Sequence, residues 1–370
     1  MALSPREREI LALLRAQPLL DAAGLARALG TTKGAVAVTL SALSQKGEIV
    51  GRGYVLRGQP WAVVVGGAAW DIKARSAGPA RLHTSNPGTL SQTPGGVGRN
   101  IAEGIARLGG RVHLLAAVGA DAAGRDLLAR TSEAGVYVDQ VAVSAHATGS
   151  YLAVLDADGE LVVGVSDLAA TDALEVGSLA RSQELLARAA VVVLDGNIPA
   201  EVAAWVLGVC AAAGVRAVLE PVSVAKAARM AGLLGPGRPV FAVTPNLDEL
   251  GALVGGPVAD DPAAIDSAAA HLHRLGVQHV WVSRGAGGSL LASADGSAEA
   301  FPAAAAAVAD VTGAGDAMTA GFVAALLAGE SPAVAVRHGH LAAALTVTSR
   351  HTVRPDLGVA FADALASLDQ

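Results

Sequence analysis

The chain has 370 residues, about half of them apolar, few aromatics, one cysteine and a net charge of −6. The lone Cys210 excludes an intrachain disulfide and a CxxC metal site, and no apolar run reaches the roughly 18 residues of a spanning helix. The opening MALSPREREI lacks the apolar core of a signal peptide, so a cytoplasmic protein with no membrane partner is expected. The charge is uneven. Residues 1–59 carry eight basic against four acidic residues, which leaves −10 on the remainder and suggests two jobs for one chain.

The first segment predicts three helices and a hairpin. Ser4 and Pro5 stand where a helix start favours them, and Ile10, Leu11, Leu13 and Leu14 form an apolar stripe. A second helix runs from Asp21 to Gly30. A third begins near Thr32 and carries Val36, Leu40 and Leu43 at helical spacing. GEIVGRGYVLR then alternates like a hairpin turning at Gly51 or Gly53. This order resembles a winged helix-turn-helix, with residues 1–58 as the domain and RGQP (57–60) as linker. The resemblance implies DNA as a partner, with Thr31, Thr32, Lys33 and Thr39 of the third helix and Arg52 of the wing toward phosphates or bases. A three-helix interaction or dimerisation module is the competing reading, because Lys33 is the only basic residue early in that helix.

From Trp61 the texture changes. WAVVV, RVHLL, AVVVLD, VRAVLE, PVFAVT and HVWVS are short β-rich runs separated by helical stretches. Such alternation predicts an α/β fold, a doubly wound and mostly parallel sheet covered on both faces. Ligands of such folds sit beyond the carboxyl ends of the strands. GSYLAVLDADGELVVGVSD breaks the alternation as a hairpin. With ARLHTSNPGTLSQT it predicts a small β lid, drawn from about 73–93 and 149–167, over a pocket.

DVTGAGDAM (310–318) removes side chains from a tight turn directly before Asp316. It reads either as a plain turn or as an anion site, with bare N–H groups at a helix N-terminus and a carboxylate placed to take a proton. No GxxxxGK followed by Ser or Thr occurs, GGVGRN (95–100) is not a GxGxxG fingerprint, and HExxH is absent. His271 with His273, and His338 with His340, are two apart and do not share a helix face.

Asp71, PGGVGRN, DGNIP, EPVSVAK, TPNLDEL, SRGAGG and DVTGAGDAM, in that order, resemble the ribokinase-like (PfkB) family of sugar and nucleoside kinases over residues 61–370. Longer phrases, from HTSNPG to EPVSVAK, look like the pseudouridine kinases within it. The resemblance implies ATP-dependent phosphorylation of the pseudouridine 5′-hydroxyl, with Mg²⁺. It makes Asp316 the catalytic base and the N–H groups of Gly313, Ala314 and Gly315 an anion hole. Asp71 would grip ribose hydroxyls beside Gly95, Gly96 and Asn100. Asn246 and Glu249 match the NxxE motif that holds Mg²⁺ through water; a solvated helix residue is the other reading of Glu249. Gly285 would lie against the nucleotide. His340 matches a position near adenine, or is a satisfied core histidine. Lys226, Ser85, Asn86 and, on the lid, Asp167 are candidates for the base, with a surface lysine as the alternative for Lys226. Asp310 and Thr312 fit the family's monovalent-cation loop, which would take K⁺.

Two departures stand out. Glu220 replaces the usual Asp before Pro221, and Val97 replaces the lysine that ribokinases carry, which points away from ribose and toward a nucleoside. The competing functions are a transcription regulator whose kinase-like domain senses a nucleoside, and a kinase for another nucleoside or sugar. Winged helices and lids of this family often pair, so a homodimer is expected.

Overall fold

Ser4 and Glu7 close the start of the first helix reciprocally. The Ser4 hydroxyl accepts from Glu7 N–H at 3.2 Å, and the Glu7 carboxylate accepts from Ser4 N–H at 2.6 Å. The computed structural model describes residues 3–17, 20–51, 55–56, 59–303 and 306–368. It divides into two units, Met1–Pro60 and Trp61–Gln370.

The first unit holds α1 (Pro5–Ala16), α2 (Ala22–Ala28) and α3 (Lys33–Gln45), followed by the antiparallel pair β1 (Ile49–Gly51) and β2 (Val55–Leu56). Ile10, Leu11, Leu14, Leu25, Val36, Leu40 and Leu43 bury their apolar faces together. Lys46 Nζ stands 2.7 Å from the buried Glu7 carboxylate, so the charge at the foot of α1 is paired. Asp21 caps α2 and Thr32 caps α3. The Thr39 hydroxyl turns back onto Ala35 O at 3.0 Å, so the hydroxyls of Thr32 and Thr39 both serve their own helix. Lys33 is exposed. Arg52 and Gly53, expected in the wing and its turn, lie outside the described residues.

The second unit opens with β3 (Trp61–Val65), β4 (Ala69–Ser76), β5 (Gly88–Gly95), α4 (Val97–Arg107) and β6 (Arg111–Leu115). A short parallel pair, β7 (Ala117–Gly119) and β8 (Ala142–Ser144), precedes β9 (Gly149–Leu155) and β10 (Leu161–Asp167). Then come β11 (Val191–Asp195), β12 (Arg216–Glu220), β13 (Val240–Val243), β14 (Val277–Ser283), β15 (Ser289–Ser293) and β16 (Ala298–Phe301). The main sheet has the order β16-β15-β14-β13-β12-β11-β3-β6. It is parallel from β6 to β14 and antiparallel at the β15–β16 edge. The fold is α/β with a mixed, mostly parallel sheet. Every residue of β11 is buried, as a parallel strand with both faces covered requires. Ile101, Ile105 and Phe322 belong to one core, Val206, Leu250 and Leu272 to the other.

A second sheet of order β10-β9-β4-β5 projects beside the first. Its middle pair, β4 and β9, is parallel and its outer pairs are antiparallel. It starts earlier than expected, at Ala69, so Asp71 lies within a lid strand and not in a loop after β3. No described helix is long and apolar enough to cross a membrane.

Candidate active site

The carboxyl ends of the central strands set the floor of the site. Asp195 and Glu220 are the last residues of β11 and β12 and face each other in register. Asp195 is fully buried and accepts three backbone N–H groups, from Gly67 at 2.8 Å, Gly98 at 2.7 Å and Asn197 at 2.8 Å. Burial pushes its carboxyl up, and those bonds oppose the shift. One carboxylate thus ties the turn after β3 to the first turn of α4.

Asp71 reaches the same turn from the lid. A Cβ on Gly95 would lie 2.4 Å from the Asp71 carboxylate, and one on Gly96, whose φ is +90°, would lie 2.5 Å from Gly67 O. Only glycine lets the carboxylate approach the backbone this closely. Burial raises the Asp71 pKa, opposed by the positive charges of Arg99 and Lys73.

Asn100, in the first turns of α4, links this loop to the other half of the site. Its Nδ2 donates to Asp316 Oδ2 at 2.8 Å. Asp316 sits in the first turn of the helix Ala314–Leu327, which no side chain caps. Gly313 precedes that helix at φ +81°, and a Cβ there would stand 2.2 Å from Thr352 O. The bare helix end suits an anion, with one correction to the expected donors. The Ala314 N–H is taken by Val311 O at 3.2 Å because the turn closes on itself. Gly313 and Gly315 remain as backbone candidates. Burial pushes the Asp316 carboxyl up to about 6; the Asn100 bond and Arg99 oppose this, while Asp195 and Asp71 add to it.

Asp316 forms one wall of a cavity of about 180 Å³, together with Glu220, Thr244, Asn246, Glu249 and Ser283. Asn246 and Glu249 form a reciprocal cap on the helix Leu247–Val254, with bonds of 2.9 and 3.0 Å. Glu249 is buried, not solvated, and burial raises its pKa. Glu220 is pushed up to about 8, first by burial, and accepts the Thr244 hydroxyl at 2.7 Å and the Thr319 hydroxyl at 2.8 Å. Among the described residues no Lys or Arg lines this cavity, although three carboxyls do. An acid-only wall fits a phosphate that arrives with a divalent cation better than a bare phosphate. Among the described residues no three His, Cys, Asp or Glu could grip a metal directly. A divalent ion here would be held through water, with Glu249 as the candidate carboxylate.

The remaining expected residues divide. Lys226 is half-buried and its Nζ donates to Asn197 Oδ1; burial lowers its pKa. Asn197 is buried against Gly67, at the loop that Asp195 holds. Ser85 and Asn86 are exposed on the loop between β4 and β5. The Asn86 amide is engaged by that loop: Nδ2 donates to Arg81 O at 2.8 Å, and Oδ1 accepts from Arg81 N–H at 2.8 Å. Asp167 is exposed and accepts from Ala169 N–H at 3.1 Å. Gly285 is exposed in the turn after β14 at φ +55°. His340 is not among the residues lining the cavity. Its Nε2 shares a hydrogen bond of 2.6 Å with Ser289 Oγ, which also accepts the Trp281 indole N–H at 2.8 Å. Asp310 forms an ion pair with Lys73 at 3.3 Å and accepts the Thr312 N–H at 2.8 Å.

Arg99, Glu103, Asp195 and Asn197 have no part in the sequence reading, yet they organise the site. Arg99 stands in the quoted GGVGRN and the last two in DGNIP. A strand-end acid and an arginine beside Asn100 were the only signals.

The chain matches the pfkB family of carbohydrate kinases over residues 61–357. It is 35% identical over 308 residues to the pseudouridine kinase of Escherichia coli K12, covering 82% of this chain and 96% of that protein. It is 34% identical over 353 residues to the uncharacterized sugar kinase YeiI of the same organism, covering 95% and 96%. Among solved structures it resembles a carbohydrate kinase from Agrobacterium tumefaciens, with a TM-score of 0.70, 28% identity and coverage of 83% and 97%. Arabidopsis thaliana ribokinase, solved with ribose and ATP, gives a TM-score of 0.71, 26% identity and coverage of 82% and 99%. The chain therefore belongs to the pfkB family of carbohydrate kinases and is an ATP-dependent phosphotransferase.

Proposed function

We propose that this kinase transfers the terminal phosphoryl group of ATP to the 5′-hydroxyl of pseudouridine. The observation that carries the reading is the 2.8 Å bond from Asn100 to Asp316. It joins the turn that Asp71 approaches to the carboxylate at the bare helix end, so a sugar held at one is presented to the other. ATP is the phosphoryl donor, and Mg²⁺ bound with it would neutralise phosphate charge. Asp316 takes the proton of the attacking hydroxyl. The N–H groups of Gly313 and Gly315 face the transferring phosphate, each such donor being worth about 3 kcal/mol of barrier. Asp71 orients the ribose hydroxyls, and Gly95 and Gly96 leave room for them. Glu249 would hold Mg²⁺ through water, where the ion would offset phosphate charge, and Gly285 would lie toward the nucleotide.

Lys226, coupled to Asn197, is the candidate reader of the base. Ser85, and Asp167 from the far lid strand, would reach it on lid closure. A K⁺ ion at Asp310 and Thr312 would have to displace Lys73 from Asp310. The 35% identity to a pseudouridine kinase supports this substrate over ribose, as does Val97 after the paired glycines. ATP consumption should be well above that with uridine or ribose when pseudouridine is supplied; equal turnover on all three would rule pseudouridine out as the preferred substrate. Asp316→Asn should lower kcat by about 10²–10⁴-fold while calorimetry still detects nucleoside binding.

For the first unit we propose DNA binding in the manner of a winged helix. Three capped helices followed by an antiparallel pair support it, as does the basic excess of residues 1–59. A gel shift that weakens with added salt is the expected result; no shift at low salt would favour a protein-interaction module. Exposed Leu90, Val163 and Val165 on the lid support a homodimer.

A further inference from the structure

An asparagine amide has an oxygen end that accepts and a nitrogen end that donates, and only its surroundings decide which way it points. Asn100 is 4% exposed and has two polar neighbours of opposite kind. On one side stands the Asp316 carboxylate, an acceptor when ionised. On the other stands the Arg99 guanidinium, which can only donate, and whose Nη2 bonds Asn100 Oδ1. Arg99 therefore dictates the orientation that Asp316 needs.

Arg99 is itself held with unusual completeness. The residue as a whole is 1% exposed. Nε donates to Gly95 O at 3.0 Å, Nη2 also donates to Pro94 O at 3.2 Å, and Nη1 meets the Glu103 carboxylate. Glu103 is held in turn by Arg107 Nε at 2.7 Å, and Arg107 Nη1 donates to Pro355 O at 2.5 Å. The carbonyls of Pro94 and Gly95 lie at the end of β5, where Asp71 approaches. A planar five-donor fork can serve all of these at once; a lysine ammonium cannot.

We propose that Arg99 is a positioning residue that fixes the Asn100 amide with its nitrogen toward Asp316, and so holds the base in its proton-accepting form and orientation. The charged groups acting on Asp316 are Asp71 from β4, Asp195 from β11, Glu220 from β12 and Arg99 from α4. Arg99 is the cation among them. With it gone, three acids remain and the amide is free to turn its oxygen toward a carboxylate, an arrangement that invites a proton onto Asp316.

The proposal rests on Asp316 as the base, so the deciding measurement needs no substrate. In the full-length protein with ¹³C-carboxyl-labelled aspartate, Asp316→Asn identifies the Asp316 resonance. Arg99→Met should raise the pH midpoint of that resonance by about one unit. The acidic limb of kcat should move by the same amount, with kcat recovering at alkaline pH and the nucleoside KM little changed. Arg99→Lys keeps the charge but not the fork, and should show a smaller shift in the same direction. An unmoved Asp316 midpoint with a pH-independent fall in kcat would reduce Arg99 to a structural role and overturn the proposal. If the methionine variant shows no cooperative melt, the lysine variant decides: an unmoved midpoint with lowered kcat overturns it equally. Failure of the wild type to turn over any nucleoside or sugar would remove the substrate assignment, while the titration would still judge the coupling of Arg99 to Asp316.

Discussion

Two acids share one cavity and are pushed to different values. Asp316 is raised to about 6 and Glu220 to about 8. At neutral pH the first is largely ionised and the second largely neutral, a division that agrees with the proposed role of Asp316 as base. Turnover should therefore fall as pH drops through about 6. Glu220 has a consequence for stability as well. Its folded value lies above that of an ordinary glutamate, so the folded state keeps a proton that the unfolded chain has lost. That stabilisation is fully present below about 4.5 and disappears as pH rises through about 8. Glu220→Gln keeps an acceptor for Thr244 and Thr319 without the buried charge. Between pH 6 and pH 9 the wild type should lose melting temperature relative to this variant, by on the order of 5 °C. Differential scanning calorimetry at both pH values checks it, and parallel curves would count against a buried neutral acid.

At the scale of elements, two helix starts shape the candidate site, and both use glycine for a steric reason. The turn before the helix Ala314–Leu327 needs a left-handed residue packed on Thr352 O. Gly313→Ala should cost about 1–3 kcal/mol of stability. By moving the donors away from a phosphate it should also lower kcat by about 10²–10³-fold. Melting and steady-state kinetics separate the two effects, and normal kcat in a destabilised variant would detach the turn from catalysis. The third helix start, at Asn246 and Glu249, shows how one sequence pattern serves two ends. The NxxE spacing is that of a reciprocal cap, and the same cap fixes the Glu249 carboxyl in the cavity wall. A motif match and a capping box are here the same residues.

For the molecule as a whole, each unit has a core of its own: Ile10 to Ile49 in the first, and two clusters against the main sheet in the second. A chain beginning at Trp61 should therefore melt cooperatively and keep kcat within about threefold of the full protein, while losing any DNA retardation. Loss of folding on truncation would mean that the cores are not independent. The match to YeiI covers 95% of this chain and so extends into the first unit, which makes that protein a natural control for the same truncation.

The order of strands and helices was legible because parallel strands buried on both faces leave runs such as VVVLD, and glycine turns leave gaps. The glycine turn before Asp316 was legible because close backbone approach tolerates few residue types. The antiparallel edge of β15 and β16 was not, since SLLAS and AEAF carry no marked alternation. The lid was foreseen as a hairpin with a companion segment, but the parallel pairing of β4 with β9, which joins distant segments and puts Asp71 inside the lid sheet, is a tertiary fact. So are the burial that raises Asp316 and Glu220, the loss of the Ala314 donor to Val311, and the bond between His340 and Ser289. By itself the sequence determined which local structures and reactive groups exist, because those depend on residues near in the chain. Only the tertiary structure decided which carboxylate Asn100 meets and which acid holds a proton, because those depend on neighbours distant in the chain, 216 residues for Asn100 and Asp316 and 99 for Glu220 and Thr319.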